Sequence, residues 1–174
     1  MKSISIFFLS AALACATATL ASAASLPERF MAVSPGIYRG AQPTEENLQE
    51  LKSTYGVKTI LNLSNDELDM EDEAVWADRL GVKLFSRPMS GFWRPDDAQV
   101  NEILSILATS DNYPIYVHCF HGQDRTGLII GLHRVLHERW DAAKAYEEML
   151  DIGFHRILFP LDQYFSERTG YREY

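Results

Sequence analysis

The chain has 174 residues, of which 47% are hydrophobic and 23% charged, a profile that fits an ordinary globular domain and excludes a repeat array, a coiled coil or a disordered tail. Its formal charge of −8 at pH 7 argues against a general affinity for nucleic acid or anionic membrane, so any anion it binds must be held locally.

Residues 1–23 read as a secretory signal peptide, because Lys2 precedes an apolar run over residues 4–13 and Ala21-Ser22-Ala23 offers small residues for cleavage. The run is short for a membrane span of about 20 residues and is diluted with Thr and Ser. A lipoprotein acylated at Cys15 is the alternative, although Ala12 stands where that signal prefers a larger aliphatic residue. The expected product is one mature domain, residues 24–174, exported to the periplasm or secreted, monomeric and without stable membrane insertion. It keeps a single cysteine, Cys119, which rules out an internal disulfide and leaves a buried inert thiol or a reactive one.

Residues 24–35 are polar and irregular, an extended lead-in. Residues 36–40 predict a short strand before the turn at Gln42-Pro43. Thr44 predicts a helix N-cap, with Leu48, Leu51 and Tyr55 on one face and Gly56 as the stop. Residues 57–63 are β-rich and apolar, as in a strand covered on both faces. The acidic stretch 66–72 leads into a helix carrying Ala74, Val75, Trp76 and Leu80 and closed by Gly81. A second strand is expected over 82–87, then a Gly- and Pro-rich loop, 88–95, holding Phe92 and Trp93. Val100, Ile103, Leu104 and Leu107 follow helical spacing behind Asp96 and Gln99, and Tyr113-Pro114 breaks the pattern. Residues 115–117 form a short buried strand running into His118-Cys119; a helix from about 125 to 137 follows, then another capped by Asp141 with Ala142, Ala145, Tyr146, Met149 and Leu150 in one stripe. Alternating strands and helices imply a single-domain α/β fold with a largely parallel central sheet flanked by helices. In such sheets ligands gather at the carboxyl ends of strands, where Cys119 lies.

The segment there reads His118-Cys119-Phe120-His121-Gly122-Gln123-Asp124-Arg125-Thr126-Gly127. It sets a nucleophile, five residues of loop and an arginine at a helix start. Such a loop can curl so that its backbone N–H groups form an anion nest, with Gly122 allowing backbone angles a side chain forbids. The helix dipole and the planar fork of Arg125 add positive potential. All three favour a phosphate dianion and a thiolate at Cys119, which invites in-line attack on phosphorus and a phosphocysteine that water hydrolyses. The pattern resembles the HCxxGxxRTG signature of the cysteine-dependent protein tyrosine and dual-specificity phosphatases. Together with Tyr38-Arg39-Gly40-Ala41-Gln42-Pro43 it is similar to their small, atypical branch, which has exported bacterial members; the similarity covers residues 37 to about 152.

The resemblance implies Cys119 as nucleophile, with the backbone of Phe120, His121, Gly122, Gln123 and Asp124 and the Arg125 side chain binding phosphate. Thr126 would donate a hydrogen bond to the departing sulfur, and His118 would organise the loop. Gln123 stands where lipid- and inositol-directed relatives often carry Lys. The family's proton donor is an Asp on a mobile upstream loop, and here Asp96 or Asp97 is expected to serve; Asp96 is equally suited to capping the next helix. Phosphotyrosine or dual-specificity protein substrates outside the cytoplasm, or a small phosphate ester there, are the expected partners, with inositol phosphates or phosphoinositides as the alternative and a non-hydrolysing phosphate-binding module as a second. No cofactor or metal is implied, although Cys119-x-His121 and His133-x3-His137 have metal-ligand spacing.

Overall fold

The β-branched and aromatic runs form the sheet and the amphipathic stretches cover it. The computed structural model describes residues 25–172; the expected leader, residues 1–23, and Cys15 lie outside them. Five strands, β1 (Met31–Ser34), β2 (Ile37–Gly40), β3 (Thr59–Asn62), β4 (Lys83–Ser86) and β5 (Ile115–His118), pair in the order β1-β2-β5-β3-β4. All neighbours are parallel except β1 and β2. The central strands β3 and β5 are buried at every residue, as expected of parallel strands with helices on both faces.

Helices α1 (Glu45–Tyr55) and α2 (Glu67–Leu80) cover one face around a core of Leu48, Leu51, Val57, Ile60, Ala77, Val82 and Tyr116. Helices α3 (Asp97–Ala108), α4 (Asp124–Leu136), α5 (Ala142–Asp151) and α6 (Phe159–Thr169) cover the other, with α4 against α3, α5 and α6. The caps follow the sequence. Thr44 Oγ1 accepts from Asn47 N and Asn47 Oδ1 accepts from Thr44 N, and Asp96 and Asp141 accept from the first turns of α3 and α5. Val100, Ile103, Leu104 and Leu107 are buried together, as their spacing predicts.

Three expectations are corrected. The lead-in is not irregular throughout: Met31–Ser34 pairs antiparallel with β2 as an edge strand, an arrangement set by the partner and not by local pattern. The acidic stretch does not precede α2 but forms its first half, with Asp66 as N-cap, because carboxylates favour the positive end of a helix. Ala74 and Val75 face solvent, while Glu73 and Ala77 are buried. Helix α6 lies beyond the reach of the periodicity reading.

Candidate active site

Residues 119–123 join the carboxyl end of β5 to the start of α4, and their carbonyls are pinned from outside the turn. Phe120 O accepts from Gln42 N at 3.1 Å, His121 O from Arg29 Nη1 at 3.2 Å and Gly122 O from Arg39 Nη2 at 2.7 Å. In a trans peptide the carbonyl points opposite to the following N–H, so this pinning turns the amides of His121, Gly122 and Gln123 to the inner side. Gly122 has φ +71, and a Cβ there would lie 2.3 Å from Gly40 O, so the close approach of β2 to the loop requires glycine.

The loop opens on a cavity of about 340 Å³ lined by Ser64, Asn65, Asp66, Gly91, Phe92, Phe120, His121, Asp124, Arg125 and Leu158. Cys119 is 2% exposed and is not among the residues that line this cavity; the turn that follows it, at Phe120 and His121, is. Arg125 Nη1 is held by Asn65 Oδ1 at 2.7 Å, Met89 O at 3.3 Å and Leu63 O at 3.4 Å; all three contacts fall on one nitrogen, which leaves the other edge of the guanidinium to a ligand. Two oxygens of a phosphate fit such a fork.

The support behind the loop is polar and buried. His118 Nε2 faces Glu73 Oε1 at 2.8 Å with both side chains fully buried. Asn62 donates an amide proton to the other oxygen of Glu73, and its own Oδ1 accepts from Ser64 N at 2.6 Å. Arg39 is 1% exposed. Burial pulls its pKa down from 12.5 to about 10, with Glu148 and Cys119 acting in the opposite sense, so the guanidinium is charged at neutral pH.

Not every expected residue converges. Asp96 and Asp97 are exposed and neither lines the cavity. Asp96 accepts from Gln99 N at 2.9 Å. Asp97 accepts from Tyr164 Oη at 2.8 Å and lies 3.4 Å from Arg94 and 3.8 Å from Arg168; the Tyr164 hydrogen bond, then the arginines, hold its carboxyl below the usual range. The acids in the wall are Asp66, which caps α2, and Asp124, which accepts from His155 N at 2.7 Å. Thr126 Oγ1 is buried without a partner among the described residues, so the hydrogen bond expected to the sulfur is not formed here. The side chain of Gln123 packs against Gly153 and not into the cavity. Phe92 and Trp93 are both about three-quarters exposed, 74% and 75%, but only Phe92 lines the cavity. Arg87 and Arg94 pair with Glu102 and Glu167.

Sequence reading missed Ser64, Asn65 and Asp66, though their place after β3 was a usable signal, since loops at the carboxyl ends of parallel strands line such sites. It also missed Glu73, Arg29 and Leu158, which only packing brings in. His133 and His137 stack on each other at 5.2 Å between ring centroids, and among the described residues no three of His, Cys, Asp and Glu converge as metal ligands would.

A family model described as Tyrosine phosphatase family matches residues 25–156. The chain belongs to the tyrosine phosphatase family. Among its relatives is a protein of Pseudomonas aeruginosa, dual specificity protein phosphatase TpbA, 33% identical over 123 residues, which are 70% of this chain and 53% of that protein. Another is inositol diphosphatase SIW14 of Saccharomyces cerevisiae, 33% identical over 149 residues, 81% of this chain and 50% of that protein. The chain thus spans about half the length of the relatives it matches. The catalytic core of S. cerevisiae SIW14 with citrate superposes with a TM-score of 0.71 at 28% identity, covering 82% of this chain and 89% of that one. P. aeruginosa TpbA in complex with phosphotyrosine gives 0.64 at 30%, covering 76% and 79%. The fold of this tyrosine phosphatase family member is therefore that of a cysteine-phosphatase core.

Proposed function

We propose that this protein hydrolyses phosphate monoesters through a phosphocysteine intermediate, and that its substrate is phosphotyrosine in a protein, with phosphoserine and phosphothreonine also admitted. Cys119 attacks phosphorus as the thiolate and the bond from phosphorus to the ester oxygen breaks; the leaving oxygen takes a proton from a carboxylic acid. Water then attacks phosphocysteine and gives its proton to that carboxylate. Phosphate departs and the electron pair returns to sulfur. Arg125 and the inward amides hold the equatorial oxygens throughout.

The observation that carries the substrate class is the wall of the cavity. Arg125 and His121 face two acids, Asp66 and Asp124, and three apolar side chains, Phe92, Phe120 and Leu158. One guanidinium opposed by two carboxylates suits a single phosphate on an aromatic or aliphatic carrier; a polyphosphorylated ring needs several cations. Phe120 and Phe92, 48% and 74% exposed, offer faces for a phenyl ring to lie against. The inositol reading draws on the SIW14 relative and is separated by one experiment. Purified protein is given a phosphotyrosine peptide, a phosphothreonine peptide and inositol phosphates, including a diphosphate. Highest kcat/KM on the phosphotyrosine peptide is expected; preference for the inositol diphosphate would replace this substrate class, and binding of all without turnover would identify a phosphate-binding module.

We assign the proton donor to Asp96. It follows Pro95 on the loop whose Gly91 and Phe92 already line the cavity, and its single cap bond at 2.9 Å is easily exchanged when that loop moves. Asp96→Asn is expected to slow poor leaving groups more than good ones; if Asp66→Asn does so instead, the role passes to Asp66. The leader further suggests export, and recovery of a periplasmic or secreted protein beginning at Ala24 is the expected outcome of expression with N-terminal sequencing.

A further inference from the structure

Arg39 is a full charge buried behind the phosphate loop to which none of the roles above gives a task. Its Nη2 donates to Gly122 O at 2.7 Å, while Nε and Nη1 have no acceptor among the described residues. Glu148 acts on it electrostatically, but both oxygens of Glu148 are taken by Arg134, at 2.7 and 3.0 Å, and Arg134 also binds Glu138 at 2.7 Å. One arginine thus serves two carboxylates, and the part of the Glu148 charge that reaches Arg39 does so through space, since no carboxylate hydrogen-bonds Arg39 among the described residues. A buried cation with no hydrogen-bonded carboxylate is costly, and an aliphatic side chain would fill the space at less cost. After Glu148, the next largest attractive charge on Arg39 is that of Cys119, the residue that opens the loop Arg39 clamps.

We propose that Arg39 is a positioning residue for the phosphatase reaction: it clamps the Gly122 carbonyl so that the Gln123 amide faces phosphate, and it supplies, from behind, a second positive charge for the Cys119 sulfur that complements Arg125. That charge favours the thiolate before attack. It also eases the second step, when water displaces the sulfur and the S–P electron pair returns to it. Tyr38-Arg39-Gly40-Ala41-Gln42-Pro43 thereby gains a physical role, since Arg39 and Gln42 pin two of the loop carbonyls and Gly40 lets β2 approach the loop closely enough to do so.

The groups around Arg39 are Tyr116 and Cys119 at β5, Arg134 on α4 and Glu148 on α5; around Cys119 the loop adds His118, His121, Asp124 and Arg125, with Glu73 behind His118. The test is the pH dependence of Cys119 alkylation by iodoacetate in the full chain, with thermal melting measured alongside. Three variants divide the roles: Arg39→Lys keeps the charge, Arg39→Gln keeps an amide donor without charge, and Arg39→Met keeps neither. In the Gln and Met variants the profile should move to higher pH by about one unit, so that alkylation at mildly acid pH falls about tenfold while the alkaline plateau is unchanged. Arg39→Lys should stay within about threefold of the parent at every pH. A Gln profile that superimposes on the parent, or a Lys variant displaced as far as Gln, would overturn the proposal whatever the melting temperatures. Should the Met variant be insoluble, the Lys and Gln pair decides.

Discussion

Arg125 and Asp97 show how the same type of contact has opposite consequences at two places. Arg125 is tethered through one nitrogen to Asn65, Leu63 and Met89, which fixes the plane of its fork without using it up. A lysine at 125 keeps the charge but cannot span two oxygens. Arg125→Lys should therefore lower kcat/KM on an aryl phosphate by roughly 10²–10³ fold, with Cys119→Ser abolishing turnover as the reference; a Lys variant within tenfold of the parent would contradict the bidentate role. Asp97 is held ionised by Tyr164, Arg94 and Arg168, which makes it a poor store for a proton. Asp97→Asn should leave the dependence of rate on leaving group unchanged and lower the melting temperature, because Tyr164 and the two arginines lose their common acceptor. A selective loss with poor leaving groups in this variant would return the donor role to it. At this scale the sequence made Cys119, Gly122 and Arg125 legible, because a loop closed on an anion needs those residue types at fixed offsets. Of the neighbours of Asp97 only Arg94 is local; Tyr164 and Arg168 lie about 70 residues away in the chain, and no local pattern announces them.

Helix α2 illustrates what an element does for the site. Its sequence suggests a helix carrying Ala74, Val75, Trp76 and Leu80, yet the side chains it buries are Glu73 and Ala77. Glu73 enters the core to meet Asn62 from β3 and His118 from β5, thereby tying the strand before the nucleophile to the strand beside it. Replacing it with alanine leaves these partners unmatched in a dry interior, at about 1–3 kcal/mol for each. Urea denaturation of Glu73→Ala is expected to show a loss in that range, and activity at low temperature to fall as His118 loses its fixed orientation; a loss no larger than that of a surface substitution would show the network to be dispensable. Elements with a strong period, such as α3, were legible in their start and buried face, because one apolar stripe and one cap define these, although α3 ends at Ala108, before the break at Tyr113-Pro114. Strand β1 was not, because an edge strand takes its conformation from its partner's free backbone groups.

For the whole molecule, the far end of α4 sets an acid limit on stability. Burial, reinforced by His137 and Arg134 and opposed by Glu138, lowers the pKa of His133 from 6.5, so the folded chain resists a proton that the unfolded chain accepts. The stability from the neutral ring is complete above pH 6.5 and is lost as pH falls from 6.5 toward the lower folded value. Melting temperatures measured between about pH 7.5 and 5 should decline accordingly, and His133→Gln should flatten the decline; parallel curves would refute the linkage. The sequence by itself determined most of the α/β order of elements and the loop from Cys119 to Arg125, because periodicity, caps and the Cys-to-Arg spacing are local. Only the tertiary structure decided that Arg29, Arg39 and Gln42 pin the loop carbonyls, that Glu73 stands behind His118, and that two acids and three apolar side chains make the wall. Those groups act through space, where the burial of a charge depends on which distant carboxylates are already paired, and that is not written in the spacing of neighbours along the chain.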